Sequence, residues 1–178
     1  MSSSTKQAII ASFIKLVSRK PPEKITVRNI VDDCGINRNT FYYHFQDIFA
    51  VLEELCQQAT ATMDRSLPLG EMLASFFLVL TDYADRHPKA TQHLAASVGQ
   101  GGTERYFAKS LDDIIFGALT AQAPTAEPAM QRTATVFLRH ALIGLYLDFI
   151  NHRGKIDKAA LAARIGVLVN GILTSLQT

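Results

Sequence analysis

The sequence lacks the residues on which small secreted and metal-binding domains depend. It contains no tryptophan and only two cysteines, Cys34 and Cys56. Their spacing fits neither a zinc site nor a disulfide framework, so we expect a reducing, cytoplasmic environment. The five histidines never fall three or four positions apart, which excludes a pair of metal ligands on one helix face. We therefore predict no metal and no cofactor.

Enzyme motifs and membrane segments are lacking too. The chain has no G-x-S-x-G, P-loop or dinucleotide fingerprint, so we predict no catalytic residue and no enzymatic activity. The opening MSSSTK is not followed by the apolar core of a signal peptide, and the most apolar run, 141–147, ends at Asp148. Since a membrane span needs roughly twenty apolar residues, we expect a soluble protein without a membrane partner.

Neither sign of charge dominates the sequence, because the formal net charge is only +2. Its distribution is uneven: residues 1–50 carry seven Lys and Arg against four acids, and the rest has a slight excess of acids. Apolar side chains, in contrast, make up 48% of the chain. That surplus predicts either a surface covered by a partner subunit or an internal ligand cavity.

Nearly every segment repeats its apolar residues with the period of an α-helix, and none shows the period of a strand. The predicted fold class is therefore all-α. The first helix ends before Pro21-Pro22, where proline stops it. The other predicted helices cover about 27–34, 38–43, 48–65, 69–86, 88–97, 103–121, 129–151 and 157–176.

The most informative segment is TVRNIVDDCGINRNTFYYHF at 26–45. Thr26 and Asn37 are typical helix N-caps, and Gly35 ends the first helix. Two short helices joined by such a turn predict a helix-turn-helix, which lays one helix across DNA phosphates and the other in the major groove. An ordinary corner between two helices has the same pattern, but two adjacent tyrosines and a histidine on the polar face favour DNA.

The residues of this segment separate by helix face. Its apolar residues are predicted to form a small core that fixes the angle between the helices: Val27, Ile30, Val31, Cys34, Ile36, Phe41 and Phe45. The other face of the second helix carries donors that suit phosphate oxygens and base edges. These predicted DNA-binding residues are Arg38, Asn39, Thr40, Tyr42, Tyr43 and His44.

The segment resembles a known family over about residues 8–56. GINRNTFYYHFQDIFAVLEEL is similar to the recognition and linker helices of tetracycline-repressor (TetR) type regulators, and ITVRNIVDDCGI to the helix before them. The resemblance implies that Thr26 binds a phosphate through its hydroxyl and the helix N-terminus. It also implies that residues 38–40 face the groove, that the two tyrosines bind phosphate or base, and that His44 binds phosphate.

One departure and one closer likeness qualify this resemblance. Gln46-Asp47 stands where the family commonly has lysine, which removes an expected phosphate contact, although Asp47 still caps the next helix. YYHFQDI and the downstream ADRHPKA are similar to the branch that contains activators of dihydroxyacetone kinase operons.

We predict a DNA-binding domain at 1–47 and a helical effector-binding and dimerisation domain at 48–178. Helix 129–151 is apolar nearly all round from Val136 to Ile150, so one face can pack inside the domain and another against a twin subunit, as the last two helices do in TetR-type regulators. Expected partner-facing residues, of which at least one should meet the twin, are Leu168, Val169, Ile172 and Leu173. Candidates for an effector pocket, with plain core packing as the alternative, are Phe76, Tyr83, Tyr106, Phe137 and His140.

Together these features predict a transcriptional regulator: a homodimer that binds double-stranded operator DNA under the control of an unknown small-molecule effector. The alternative is a helical ligand-binding protein or enzyme that keeps the N-terminal shape without operator binding. The modest charge and the missing lysine motivate that alternative. Steep loss of DNA affinity with salt would distinguish the two.

Overall fold

The computed structural model describes residues 2–99 and 104–177, with side chains over 4–98 and 108–177. Within these residues the chain is helical and has no strand, which confirms the predicted fold class. A 3₁₀ turn at Pro22–Lys24 follows the first helix. The α-helices are α1 Ser2–Val17, α2 Val27–Cys34, α3 Arg38–His44, α4 Ile48–Thr60, α5 Leu69–Arg86, α6 Pro88–Gly99, α7 Glu104–Gln122, α8 Pro128–Asn151 and α9 Lys158–Gln177.

Side chains that bind the backbone set both ends of α4. The Asp47 carboxylate accepts a hydrogen bond from the Ala50 N–H at 2.8 Å, so Asp47 caps this helix as predicted. The helix ends at Thr60, earlier than the predicted end near residue 65. Just beyond, the Thr62 hydroxyl donates to the Ala59 carbonyl at 2.7 Å and competes with a further helical turn.

The chain forms two compact units. The first unit comprises residues 1–58 and 86–107, and the second comprises 59–85 and 108–178. The first unit therefore contains α6 as well as α1, α2 and α3, and α4 runs across the division. The sequence-based boundary after residue 47 does not coincide with a division between these compact units. As a division between a DNA-binding and an effector-binding domain, it stays a prediction.

Five helices contribute to the core of the first unit. Phe13 of α1 and Phe41 of α3 are fully buried, and aromatic side chains of this size dominate the packing energy of a small core. α3 thus packs into a core to which α1, α2, α4 and α6 also contribute. Other buried members are Ile9, Ile30, Val51, Leu52 and Ala90.

The second unit packs α5, α7, α8 and α9 around a separate core. The rings of Phe77 and Phe149 meet edge to face, 6.2 Å apart. α5 and α9 approach closely at Gly70 and Gly166, because a Cβ added at Gly70 would lie 2.5 Å from the Gly166 carbonyl oxygen. By length and composition alone, α8 and α9 could each cross a membrane.

Candidate nucleic-acid interface

α2 and α3 form the predicted helix-turn-helix through three local signals. The Thr26 hydroxyl caps α2 by accepting from the Asn29 N–H at 3.3 Å. Gly35 ends α2 at φ 66°, a left-handed conformation that a residue with a Cβ rarely adopts. The Asn37 side chain then caps α3, accepting from the Thr40 N–H at 2.8 Å. Both caps and the turn are where the sequence predicts them.

A small apolar core lies beneath α3. Ile30 and Phe41 have no exposed surface, and Phe45 is only 5% exposed. The rings of Phe41 and Phe45, one helical turn apart, lie 6.1 Å from centre to centre. This packing holds α3 in one orientation against α2, so the opposite side of α3 is presented to solvent.

The solvent side of α3 carries two exposed tyrosines. Tyr43 is 79% exposed and Tyr42 is 55% exposed, which is a large aromatic area for a surface that only meets water. The rings of Tyr43 and His44 meet edge to face at 5.0 Å. Arg38 and Asn39 are exposed, whereas Thr40 and His44 are half-buried. The structure thus gathers these six predicted DNA-binding residues on one short helix.

A hydrogen-bond cluster at the start of α2 was not predicted from the sequence. The Asn29 side-chain oxygen accepts from the Thr26 N–H and hydroxyl, at 3.0 Å each, and from the Lys20 ammonium at 2.6 Å. The bond from the Thr26 N–H, together with the Thr26 cap, forms a capping box. The spacing of Thr26 and Asn29 is the sequence signal, although asparagine stands in place of the usual glutamate or glutamine.

Acidic side chains neutralise several cations of the first unit. The hydrogen bond from Lys15 lowers the pKa of Asp33 below its ordinary value of 3.8. Paired charges contribute less to a long-range positive field, so hydrogen bonding has a larger share in any DNA contact. The ion pairs are Lys6–Glu54 at 2.8 Å, Lys15–Asp33 at 2.6 Å and Arg28–Asp32 at 3.5 Å.

The same part of the chain matches a known family. Residues 9–55 match the model of bacterial regulatory proteins of the tetR family. Residues 9–55 are a TetR-family helix-turn-helix domain. A comparison with curated protein sequences finds no match.

Solved structures extend the likeness over nearly the whole chain. A tetR-family transcriptional regulator from Streptomyces coelicolor is 18% identical, with a TM-score of 0.65 over 97% of this chain and 82% of that one. The dihydroxyacetone kinase operon activator DhaS is 18% identical, with a TM-score of 0.65 over 98% of both chains. NalD of Pseudomonas aeruginosa, the secondary repressor of the MexAB-OprM multidrug efflux pump, is 18% identical, with a TM-score of 0.64 over 99% of this chain and 98% of its own. The chain has the fold of TetR-family transcriptional regulators, which activators and repressors share.

The residues predicted to line an effector pocket differ in their burial within the second unit of this TetR-type fold. Phe76 lies in the core at 4% exposure, and Tyr83 is half-buried, which raises the pKa of its hydroxyl. Phe137 is 60% exposed and His140 is also exposed, so the placement of these two in an interior pocket is corrected. α8 is apolar nearly all round, and the sequence therefore does not show which side faces its own core. The Tyr106 side chain lies outside the described residues.

The four residues predicted to face a twin subunit also differ in their burial. Leu168 is 66% exposed, and Ile172 and Leu173 are half-buried. Val169, at 4% exposure, packs in the core of its own unit, so its assignment to a partner surface is corrected. Sequence reasoning missed Val167, which is 73% exposed. Val167 lies three positions after the charged Arg164 and therefore on the same side of the helix, so this spacing is the sequence signal that could have predicted its exposure.

Nothing in the part of the chain with described side chains indicates a metal site or a reactive thiol. There, no three His, Cys, Asp or Glu residues group closely enough to hold a metal ion. Burial raises the pKa of the Cys56 thiol to about 12, which keeps it protonated and unreactive. The Cys34 sulfur is 3.4 Å from the Ala8 carbonyl oxygen, a contact that ties α2 to α1.

Proposed function

We propose that the protein is a homodimeric transcriptional regulator that binds operator DNA, with α3 in the major groove and the start of α2 on the phosphate backbone. The observation that carries this proposal is the outer side of α3. Two exposed tyrosines, with Arg38 and Asn39, are held there by a core that leaves α3 one orientation. Their hydroxyl, guanidinium and amide groups suit phosphate oxygens and base edges.

The start of α2 supplies the second contact. Thr26 is exposed at the N-terminus of an eight-residue helix. N–H groups at this end of a helix lack helical acceptors, and the helix dipole favours an anion there. A phosphate oxygen fits that position, and the Thr26 hydroxyl donates to it if its proton turns away from the Asn29 side-chain oxygen.

A second copy of the chain is the proposed partner of α8 and α9. Val167 and Leu168 on α9 and Phe137 on α8 leave a large apolar area in solvent. A single recognition helix reads few base pairs, whereas a two-fold dimer presents two helices to two half-sites. Arg164 is exposed near the same part of α9, which favours a protein surface over lipid as the cover for these helices.

The proposal also includes control of operator affinity by a small-molecule effector. In the second unit, Phe76 is buried and Tyr83 is half-buried, so these two of the predicted pocket residues lie inside a domain made of long helices. A small apolar molecule bound there would favour one arrangement of the helices over another. It would change operator affinity only as far as it binds the two arrangements differently.

A footprint of the purified protein on the DNA upstream of its own gene tests the function, followed by binding over a salt series. We expect a protected, two-fold symmetric site and a binding constant that falls steeply with salt. A scrambled DNA of equal length is the control. Protection of neither DNA in low salt would favour the alternative, a helical binding protein or enzyme that keeps only the N-terminal shape.

A further inference from the structure

The ammonium of Lys6, in α1, lies beside the C-terminal end of α3. It is 5.9 Å from the ring centre of Phe45, the residue that ends α3. Phe45 is buried in the core of the first unit, so its ring has a fixed position. The face of an aromatic ring attracts a cation, so this ring helps to hold the ammonium next to α3.

A carboxylate of α4 binds the same ammonium. Glu54 is 2.8 Å from Lys6, and this hydrogen bond lowers the pKa of the Glu54 carboxyl below its ordinary value of 4.5. The same Glu54 oxygen accepts a hydrogen bond from the Gln58 side-chain amide at 3.0 Å. Glu54 therefore keeps a partner if the ammonium moves to another anion. Because 37% of the Lys6 side chain is exposed, an anion can approach it from solvent.

In the proposed complex, the end of α3 lies close to DNA phosphates. The major groove is about 12 Å wide and an α-helix with its side chains is about as wide, so a helix in the groove has a phosphate backbone on each side. Tyr43 and His44, at the end of α3, are among the predicted DNA contacts, and Phe45 follows them directly. A cation held beside Phe45 is therefore within reach of a phosphate once α3 has entered the groove.

We propose that Lys6 binds an operator phosphate and that Glu54 competes with this phosphate for the same ammonium. The inference rests on the proposed function and adds a cation of α1 to its DNA contacts. In the free protein, Glu54 and the Phe45 ring already order the Lys6 side chain, so little side-chain entropy is lost when DNA binds. The attraction of Glu54 opposes the transfer and limits operator affinity.

The salt dependence of binding distinguishes a phosphate contact from a structural role. A cation that neutralises a phosphate releases a counterion from the DNA, so removing it makes the loss of affinity with salt less steep. Lys6→Met keeps an unbranched side chain and removes the charge. The slope of log affinity against log salt should fall by about one for each bound subunit, and binding in low salt should weaken about tenfold. Lys6→Arg should restore both.

Lys15→Met is the matched control. Lys15 is also in α1 and forms an ion pair, with Asp33 at 2.6 Å, but it lies on roughly the opposite side of the helix from Lys6. Both variants lose one surface ion pair, so both should melt close to the wild type. Only Lys6→Met should change the salt slope, measured by fluorescence anisotropy on the footprinted operator. A wild-type slope in Lys6→Met would overturn the inference.

Glu54→Gln tests the competition, because it removes the charge and keeps an oxygen for Gln58. From the worth of an exposed ion pair, operator binding should tighten about two- to fivefold, with little gain beside Lys6→Met. A gain that is equally large beside Lys6→Met would show that Glu54 does not compete through Lys6.

The wild-type protein separates this inference from the proposed function. If the wild type shows no salt-dependent binding, the proposed function fails and the Lys6 contact fails with it. If the wild type binds its operator and Lys6→Met binds with the same affinity and salt slope, the proposed function stands and Lys6 has no part in it.

Discussion

The two units expose different chemistry on their outer helices. Among the described side chains of the first unit, the large exposed hydrophobic residues are Tyr42 and Tyr43, and each carries a hydroxyl. In the second unit, exposed residues such as Phe137, Val167 and Leu168 have no polar side-chain atom. Hydroxyl-bearing aromatics suit a hydrated, charged partner, whereas side chains without a polar atom gain only from a dry protein surface. One chain therefore carries a surface suited to DNA and another suited to a copy of itself.

The largest expected effect is on the apolar surface of the second unit. Leu168→Asp would place one charge from each subunit in the proposed interface. An unpaired buried charge costs about 3–5 kcal/mol and a symmetric dimer carries it twice, so we expect the dissociation constant to rise at least about a thousandfold. Sedimentation over a concentration series measures this.

The control for that variant is Ser75→Asp, which adds the same charge at an exposed position of α5. It should sediment as the wild type does. Leu168→Asp protein that remains dimeric at micromolar concentration, or that binds its operator normally as a monomer, would remove the proposed role of this surface.

The next largest effect lies beneath the DNA-facing side of α3. Phe41→Ala removes a fully buried aromatic from a small core, so the free energy of unfolding should fall by about 3–5 kcal/mol. Thermal melts followed by circular dichroism report the loss. Tyr42→Ala, at the adjacent but exposed position, should melt near the wild type. Equal melting of both variants would mean that core packing does not hold α3.

A smaller effect is expected on the exposed side of α3 itself. Tyr43→Ala should weaken operator binding by about 1–3 kcal/mol without changing the melting temperature, because in the proposed complex the side chain contacts DNA rather than the core. Tyr43→Phe separates the hydroxyl from the ring. Tyr43→Ala that binds as tightly as the wild type would show that this tyrosine is not part of the DNA contact.

The smallest effect concerns a surface ion pair of the first unit. The Lys15 hydrogen bond lowers the pKa of Asp33 in the folded state below its ordinary value of 3.8. A lowered folded pKa adds stability above the ordinary pKa, and that stability is lost as the pH falls through the folded pKa. Urea unfolding should therefore show Asp33→Asn slightly less stable than the wild type at neutral pH and equal to it in strong acid. A difference that persists in acid would indicate another cause.

The sequence by itself determined the helix-turn-helix, because its signals are local and one-sided. Thr26, Gly35 and Asn37 each act on the backbone within a few residues, so their positions predict where α2 and α3 begin and end. In α3 the apolar residues lie on one side only, and Phe41 is buried while Tyr43 is exposed, as the pattern predicts. The capping box was missed only because Asn29 replaces the usual residue type.

Only the tertiary structure decided the orientation of α8 and α9 and the place of α6. α8 is apolar on nearly every side and carries no pattern to orient it, so the sequence could not show that Phe137 faces solvent. On α9, packing within the second unit placed Val169 in the core. The Ser97–Glu23 contact joins residues far apart in sequence, and no local signal in either segment predicts the other. Helix caps and turns depend on neighbouring residues, so the sequence predicts them. Which of several equivalent apolar faces is buried depends on the elements that pack against the helix, so only the tertiary structure shows it.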